Sequence, residues 1–200
     1  MVARRRAGRE ATRGRILAAF LRLATERGMD ATTTRAIAEE ASVNELTLFR
    51  HFGDKATLAR EAVRAAAPTE LLRSHHPAVD VSTPEATVAG LAACLQFLRD
   101  QMLDRQDLLQ LALAEARRHP ELREELLAGP RQAGALLADA LRQAGPRLRP
   151  EVDPQAALLS LEGLLLRTVL WTTHGWMTLD RRAWDSLLES AVRVLVDLSR

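Results

Sequence analysis

The stretch TTTRAIAEEASVNELTLFRHFGDKATL, residues 32–58, decides the fold of this chain, because it contains two helix starts separated by a very short turn. The threonines at 32–34 supply N-cap residues for a short helix that extends through Ala41. The apolar residues of this helix fall on one face, so the pattern predicts a helix that packs on a core.

A second helix start follows almost at once. Asn44 is an N-cap residue type, and Val43 and Leu48 flank it at the positions of a hydrophobic staple. The next helix is therefore predicted to begin at Glu45. Only residues 42–44 separate the two helices, which is the connection length of a helix-turn-helix.

Helices are also predicted on both sides of this pair. Apolar residues at helical spacing indicate a helix over about 11–27, which ends at Gly28. Asp54 is an N-cap residue for a helix that starts at Lys55 and extends to about Ala67, just before a proline. The first-turn amides of that helix, together with the lysine, predict a binding site for phosphate.

Composition and charge agree with a helical protein that has one basic end. The 200 residues are 47% apolar and 4% aromatic, and Ala, Leu and Val dominate the apolar part, which predicts an all-α chain. The first 66 residues carry 13 basic and 8 acidic side chains, whereas the remainder carries 15 and 18. Residues 4–15 hold much of this positive charge, as expected either for a phosphate-binding N-terminal arm or for a solvated tail.

Over about residues 12–66 the chain resembles the DNA-binding region of TetR-family (tetracycline-repressor-like) transcriptional regulators. The residues that carry the resemblance are Thr33, Ile37, Ala38, Val43, Thr47, Leu48, Phe49, His51, Phe52, Lys55 and Leu58. The resemblance implies about nine helices. It also implies a three-helix DNA-binding domain of the helix-turn-helix type at the N-terminus and a C-terminal helical domain for ligand binding and dimerisation.

The resemblance implies two kinds of contact with double-stranded DNA. Phosphate contacts are implied for Thr33, Thr34, Thr47, His51 and Lys55, and base-edge positions for Arg35, Glu45, Leu46 and Phe49, with Arg50 on the same outward surface. The chemistry fits, because a guanidinium can fork onto guanine, a carboxylate can accept from the amino group of cytosine, and a leucine can pack on a thymine methyl.

Each of these residues also has an ordinary structural alternative. Arginines such as Arg35 and Arg50 are more often solvated helix charges than base readers. Phe49 is alternatively a core residue, and His51 a capping or packing group. Lys55 at a helix start opposes the helix dipole, which is mildly unfavourable unless an anion is bound, so its position favours a functional role.

Four positions depart from the family pattern. The family commonly has Gly at Ser42, Gly or Pro at Leu46, and Tyr at Phe49, and it often has a basic or neutral polar residue at Glu45. We expect slight strain in the turn at Ser42 and the loss of one hydroxyl hydrogen bond at Phe49. The operator sequence does not follow from the motif.

The remaining chain is predicted to form a second helical domain. A linker over 74–84 separates a DNA-binding domain at 1–66, with its basic arm, from an effector-binding and dimerisation domain at 67–200. Further helices are predicted over about 84–103, 105–118, 121–144, 154–173 and 180–198, with a break at 129–130 left open.

The helix over 154–173 is apolar around most of its circumference, so it must be buried on more than one side. The resemblance implies a homodimer through the last two helices, and Ala156, Ser160 and Gly163 form a stripe of small residues that permits close helix approach. Packing within one chain is the alternative. Two-fold symmetry would present two recognition helices to successive major grooves of a near-palindromic operator.

A ligand site is predicted in the C-terminal domain. Its candidate lining residues are Phe97, Met102, Leu113, Glu162 and Trp171, although most of them are also expected as plain core. The resemblance implies an unknown small-molecule effector that releases DNA, and a regulator that acts as a repressor. A buried Glu162 would favour a cationic or hydrogen-bonding effector, unless an arginine pairs with it.

Other classes of protein are disfavoured. Cys94 is the single cysteine, and we expect a cytoplasmic protein that is neither exported nor membrane-spanning. We predict no cofactor, no metal site and no catalytic residue: no nucleophile has an evident base, and the histidines lack metal-ligand spacing at His51, His75, His76, His119 and His174. A helical interaction protein and a small helical enzyme remain the alternatives to a regulator.

Overall fold

The structure is a computed structural model that describes residues 2–75 and 78–199, with side chains from residue 6 onward. Within these ranges it contains ten α-helices, two 3₁₀ helices and no β-strand, so the all-α prediction is confirmed. One isolated bridge joins Leu148 to Val196. His76, considered above as a metal ligand, lies outside the described residues.

The ten helices follow one another with short connections. They are α1 Val2–Arg27, α2 Thr34–Glu40, α3 Glu45–Phe52, α4 Lys55–Ala66, α5 Thr69–Ser74, α6 Pro84–Asp104, α7 Gln106–Glu115, α8 Arg123–Ala144, α9 Pro154–Thr173 and α10 Arg181–Arg193. The 3₁₀ helices are Pro120–Leu122 and Gly145–Arg147.

Two helix boundaries differ clearly from the predicted ones, and one helix was not predicted. Helix α1 begins at Val2, so the basic segment predicted as an arm is helical. Helix α5 was not predicted, and its addition accounts for the tenth helix. Helix α10 ends at Arg193 because the following backbone pairs elsewhere: Asp197 N–H donates to the carbonyl of Arg147 at 2.8 Å.

The chain divides into two compact units. The first contains the residues up to Ala67 and also Asp107–Ala128, and the second contains Pro68–Gln106 and the residues from Gly129 onward. The sequence placed 107–128 with the C-terminal domain, whereas the structure packs this segment with the N-terminal helices.

The core of the first unit explains this arrangement. Ile16 and Phe20 of α1 are fully buried together with Ile37, Leu48 and Leu58 of the next three helices. The same cluster includes four residues of the later segment, namely Leu111, Ala112, Leu122 and Leu126. Burial of each large apolar side chain contributes about 1.5–3 kcal/mol, so the segment is a substantial part of this core.

The second unit is built around α6, which contacts both α9 and α10. Leu91, Leu95 and Leu188 are fully buried there. Arg99 is buried too, and it donates to Asp100 and Asp185 at 2.8 Å while its guanidinium lies 5.8 Å from the ring centre of Trp184. The buried charge is therefore paired, as burial of an ion requires.

Helix α9 has the length and apolar composition that would suffice to cross a bilayer, a test that core helices of soluble proteins also pass. Its inner face is buried in the second unit at Leu161, Leu165 and Val169. Its outer face leaves Leu159 exposed at 59%. The helix is thus covered on one side only within a single chain.

Candidate nucleic-acid interface

The turn between α2 and α3 has the geometry that the sequence predicts. The Thr33 hydroxyl accepts a hydrogen bond from the Ala36 amide at 3.2 Å, and the Asn44 carboxamide oxygen accepts one from the Thr47 amide at 2.7 Å. Both side chains act as N-caps. Ser42 lies between them at φ 54°, in the left-handed region that favours glycine.

Helix α3 separates a buried face from an outward face. Leu48 and Phe52 are buried at i and i+4, as predicted. On the other side Leu46 is 66% exposed and Phe49 is 43% exposed, and Arg50 is exposed as well. Phe49 is therefore a surface residue of the first unit rather than a core residue.

The polar residues next to this outward face bind one another. The Thr34 hydroxyl donates to Glu45 Oε1 at 2.7 Å, which fixes the carboxylate in the first turn of α3. Arg35 is highly exposed and donates to Glu39 at 2.9 Å. This hydrogen bond, followed by the charges of Glu39 and Glu45, raises the pKa of Arg35.

The side chains predicted to donate hydrogen bonds to phosphate differ in how many of their donor hydrogens are already used within the protein. The Thr47 hydroxyl donates to Asn44 Oδ1 at 2.7 Å, and that of Thr34 donates to Glu45, so neither has a hydrogen left for a phosphate oxygen. The Thr33 hydroxyl acts as an acceptor in its cap and keeps its hydrogen. Lys55 Nζ donates to the Met29 carbonyl at 2.8 Å, which leaves two of its three donors.

His51 lies in a positive environment that the sequence did not reveal. It is half-buried, and burial, followed by the charges of Arg9 and Arg13, lowers its pKa. Arg13 donates to Glu61 at 2.6 Å and lies 5.7 Å from the ring centre of Phe52. The available signal was the i, i+4 spacing of Arg9 and Arg13, which share a face only if this segment is helical.

Helix α4 starts beside this surface. The Asp54 carboxylate accepts a hydrogen bond from the Thr57 amide at 2.6 Å, and its bonds to Thr57 lower its pKa. Lys55 follows directly and is half-buried. The start of α4 thus combines an N-cap that binds first-turn amides with one cation, Lys55.

The five predicted ligand residues are divided between the two units. Leu113 belongs to the first unit and is 54% exposed, whereas the other four lie in the second unit. Phe97 stacks on His75 with ring centres 3.8 Å apart, and Met102 is half-buried.

The two remaining candidates, both on α9, have neighbours of their own. The Arg167 guanidinium lies 3.9 Å from the ring centre of Trp171. Glu162 is half-buried against α8, where a Cβ at Gly134 would collide with its Oε1 atom. An open groove of about 440 Å³ in the second unit contains none of the five and is lined mainly by α9 and the end of α10.

Comparisons with known proteins agree with this geometry. The family model for bacterial regulatory proteins of the tetR family matches residues 16–62. The uncharacterised HTH-type transcriptional regulator YvkB of Bacillus subtilis (strain 168) is 30% identical over 140 residues, which are 68% of this chain and 69% of YvkB.

Two solved structures have the same fold. NalD, the secondary repressor of the MexAB-OprM multidrug efflux pump in Pseudomonas aeruginosa, aligns with a TM-score of 0.69 and 23% identity over 94% of this chain and 97% of its own. The flavonoid-responsive regulator FrrA aligns with a TM-score of 0.64 and 23% identity over 91% and 93%. Together with the family match and the exposed helix-turn-helix, these findings show that the chain is a DNA-binding transcriptional regulator, not an enzyme, and that it belongs to the TetR family.

Proposed function

We propose that the chain binds a near-palindromic operator as a homodimer, represses transcription, and leaves the DNA when a small molecule binds its second unit. The observation that carries the DNA-binding part is the outward face of α3 beside the start of α4. This face has exposed apolar and cationic groups, and the donors of Thr33 and Lys55 are available at its edge.

Base reading is assigned to Arg35, Glu45, Leu46 and Phe49. Glu45 Oε1 already accepts from Thr34, and its second oxygen remains for the amino group of a cytosine. Leu46 and Phe49 are sufficiently exposed to contact thymine methyl groups. In this proposal the Arg35 guanidinium releases the Glu39 carboxylate and donates instead to the hydrogen-bond acceptors of a guanine.

Phosphate binding is assigned first to Thr33, His51 and Lys55, with Arg50 nearby. Thr34 and Thr47 join them only if their hydroxyls turn away from Glu45 and Asn44. Proximity to Arg9 and Arg13 supports His51, because a phosphate would compensate the positive charge collected there.

The homodimer is assigned to α9 and α10. The outer face of α9 carries Leu159 and the small residues Ser160 and Gly163, and α10 ends beside the exposed Val194. Exposed apolar surface of this kind, next to an open groove between two helices, favours a partner helix pair. The partner copy would then cover the side of α9 that one chain leaves open.

The proposals of repression and of effector release are based on similarity to known regulators. NalD is a repressor and FrrA responds to flavonoids, which supports a repressor that senses a small molecule. Phe97, Met102, Glu162 and Trp171 remain candidates for its site in the second unit. A regulator of genomic DNA works in the cytoplasm of a bacterium, which is the location we propose.

Selection of bound duplexes from a random pool at a fixed salt concentration tests the DNA-binding part. Arg35→Ala should weaken binding roughly tenfold to a hundredfold and relax the preference at one base pair. Lys55→Ala should weaken binding to all sequences and reduce the salt slope by about one. Arg73→Ala, which removes an exposed, ion-paired charge from α5, is the matched control and should change neither. Equal effects of Arg35→Ala on every sequence would contradict base reading.

A further inference from the structure

The short segment after α1 is held from two sides within the first unit. Lys55 Nζ donates to the Met29 carbonyl at 2.8 Å. The Met29 amide donates to Glu115 Oε1 of α7 at 3.3 Å. Glu115 is only 4% exposed, so a buried carboxylate is committed to this backbone position.

His119 lies next to the buried Glu115 carboxylate. Its Nε2 atom lies 3.3 Å from Glu115 Oε2 and 3.4 Å from Asp30 Oδ1, and its Nδ1 atom lies 3.1 Å from Glu121 Oε1. Both ring nitrogens therefore face carboxylate groups.

These side chains form a polar cluster around the buried carboxylate. Among the described residues no set of His, Cys, Asp and Glu side chains could hold a metal ion. Glu115 Oε2 and His119 Nε2 are buried and have no hydrogen-bond partner among the described residues. Burial and the bond from the Met29 amide to Oε1 thus fix the Glu115 side chain.

The Met29 carbonyl affects how the Lys55 ammonium is placed for binding. A solvated lysine side chain is flexible, and fixing it on binding costs conformational entropy. In the structure the Met29 carbonyl already fixes it at the start of α4, and two donors remain for a phosphate. The position of the Met29 carbonyl depends in turn on what holds residues 28–30.

We propose that Glu115 is a positioning residue for DNA binding: from α7 it fixes Met29, and thereby holds the Lys55 ammonium where it meets a backbone phosphate. The inference rests on the proposed function, because it requires Lys55 to contact DNA. It assigns to segment 107–128 a role in phosphate binding although none of its residues lies in the helix-turn-helix.

A purely structural role for Glu115 is the competing explanation. Loss of a buried, hydrogen-bonded carboxylate lowers stability wherever it occurs, and lower stability by itself weakens DNA binding. The two explanations differ in their dependence on Lys55. A residue that acts through Lys55 has no further effect once Lys55 is removed, whereas a loss of stability adds to any other change.

The experiment is a double-mutant cycle in the full chain with one selected duplex, measured over a range of salt concentrations. Glu115→Ala should weaken binding by no more than Lys55→Ala does and should reduce the salt slope in the same direction. In the Lys55→Ala background the same change should weaken binding less than twofold. Glu115→Gln keeps an acceptor for the Met29 amide and should restore most of the affinity.

Two further variants make the result decisive. Glu115→Asp keeps the charge beside His119 but shortens the side chain away from Met29, so it should behave like Glu115→Ala if the latter fails to fold. Glu125→Ala is the matched control, because Glu125 lies in the same segment but pairs with Arg60 and Arg64 of α4. Its effect should be the same with and without Lys55.

Equal losses from the Glu115 variants in both backgrounds would overturn the inference and leave the DNA-binding proposal intact. If Lys55→Ala alone changes neither the affinity nor the salt slope, the assignment of Lys55 and the inference both fail.

Discussion

At the scale of single residues, Ser42 shows how a family pattern and a backbone angle inform each other. The sequence predicted strain because a serine occupies a position where the family commonly has glycine. The structure confirms the cause, since Ser42 has φ 54°. A residue with a Cβ in this region costs roughly 1–2 kcal/mol relative to right-handed helical backbone.

Ser42→Gly should therefore raise the free energy of unfolding by about 0.5–1 kcal/mol, after the entropic cost of glycine, roughly 0.5–1 kcal/mol, is subtracted. Urea denaturation followed by circular dichroism measures this change. Ser42→Ala keeps the Cβ and should give no gain. A destabilised Ser42→Gly variant would show that the angle carries no strain.

His51 gives a prediction about pH. In the free protein, burial and then Arg9 and Arg13 lower its pKa below the ordinary value of 6.5. A bound phosphate would stabilise the protonated ring and raise the pKa again, so binding would take up a proton. DNA affinity should then increase as the pH falls from about 7.5 towards 6.

Fluorescence anisotropy with a labelled duplex at constant ionic strength measures this dependence. His51→Gln should remove most of it, because glutamine keeps hydrogen-bonding capacity without titrating in this range. The phosphate role of His51 is excluded if wild type and variant have the same pH profile.

The limits of residue-level prediction are visible in the threonines. The motif assigned Thr33, Thr34 and Thr47 to one phosphate-binding role. The structure distinguishes them by where each hydroxyl hydrogen points, and only Thr33 keeps its own. Such hydrogen bonds depend on neighbours brought together by folding, as with Thr34 and Glu45, so spacing alone does not reveal them.

At the scale of helices, the starts marked by a capping residue were predicted, whereas the start of α1 and the end of α10 were not. The predicted N-caps Thr33, Asn44 and Asp54 each accept the expected amide hydrogen bond from the residue three positions onward. The same bond caps three later helices, at Thr83, Asp153 and Asp180. Capping is local and can be recognised from a few residues. The end of α10 is set by pairing with residues near 147, which is not local.

The cap of α3 gives a test at this scale. Asn44 accepts from both the amide and the hydroxyl of Thr47. Asn44→Ala should lower the free energy of unfolding by about 1 kcal/mol, as measured by chemical denaturation. Asn44→Asp keeps an acceptor and should cost much less. A similar loss in both variants would mean that the cap does not stabilise α3.

At the scale of the whole molecule, the all-α fold class and the helix-turn-helix signature were predictable from sequence. The compact unit to which residues 107–128 belong was not. Residues 107–128 lie far along the chain, yet Leu111 and Leu122 belong to the core around α1. Periodicity shows that a helix has an apolar face without showing which core the face meets. For the same reason the sequence did not show that Leu113 belongs to the first unit, whereas the other predicted ligand residues belong to the second.

The proposed dimer can be tested at Gly163. A Cβ at Gly163 meets nothing within 4 Å in one chain, so Gly163→Arg should fold. The large side chain would, however, keep a partner α9 from approaching closely. Sedimentation velocity should then show dimers for the wild type and monomers for the variant.

Gly145→Arg is the control, because Gly145 is equally unobstructed but lies outside α9 and α10. It should leave the dimer unchanged. Monomeric wild-type protein at micromolar concentration, or dimers that persist in Gly163→Arg, would contradict an interface on this face.

Hydrogen exchange of the backbone amides, measured with and without a selected duplex, tests most directly whether the helix-turn-helix face binds DNA. Protection should appear at the start of α2, along α3 and in the first turn of α4, and Lys55→Ala should reduce it. Protection confined to the second unit, with none over residues 33–57, would contradict the account.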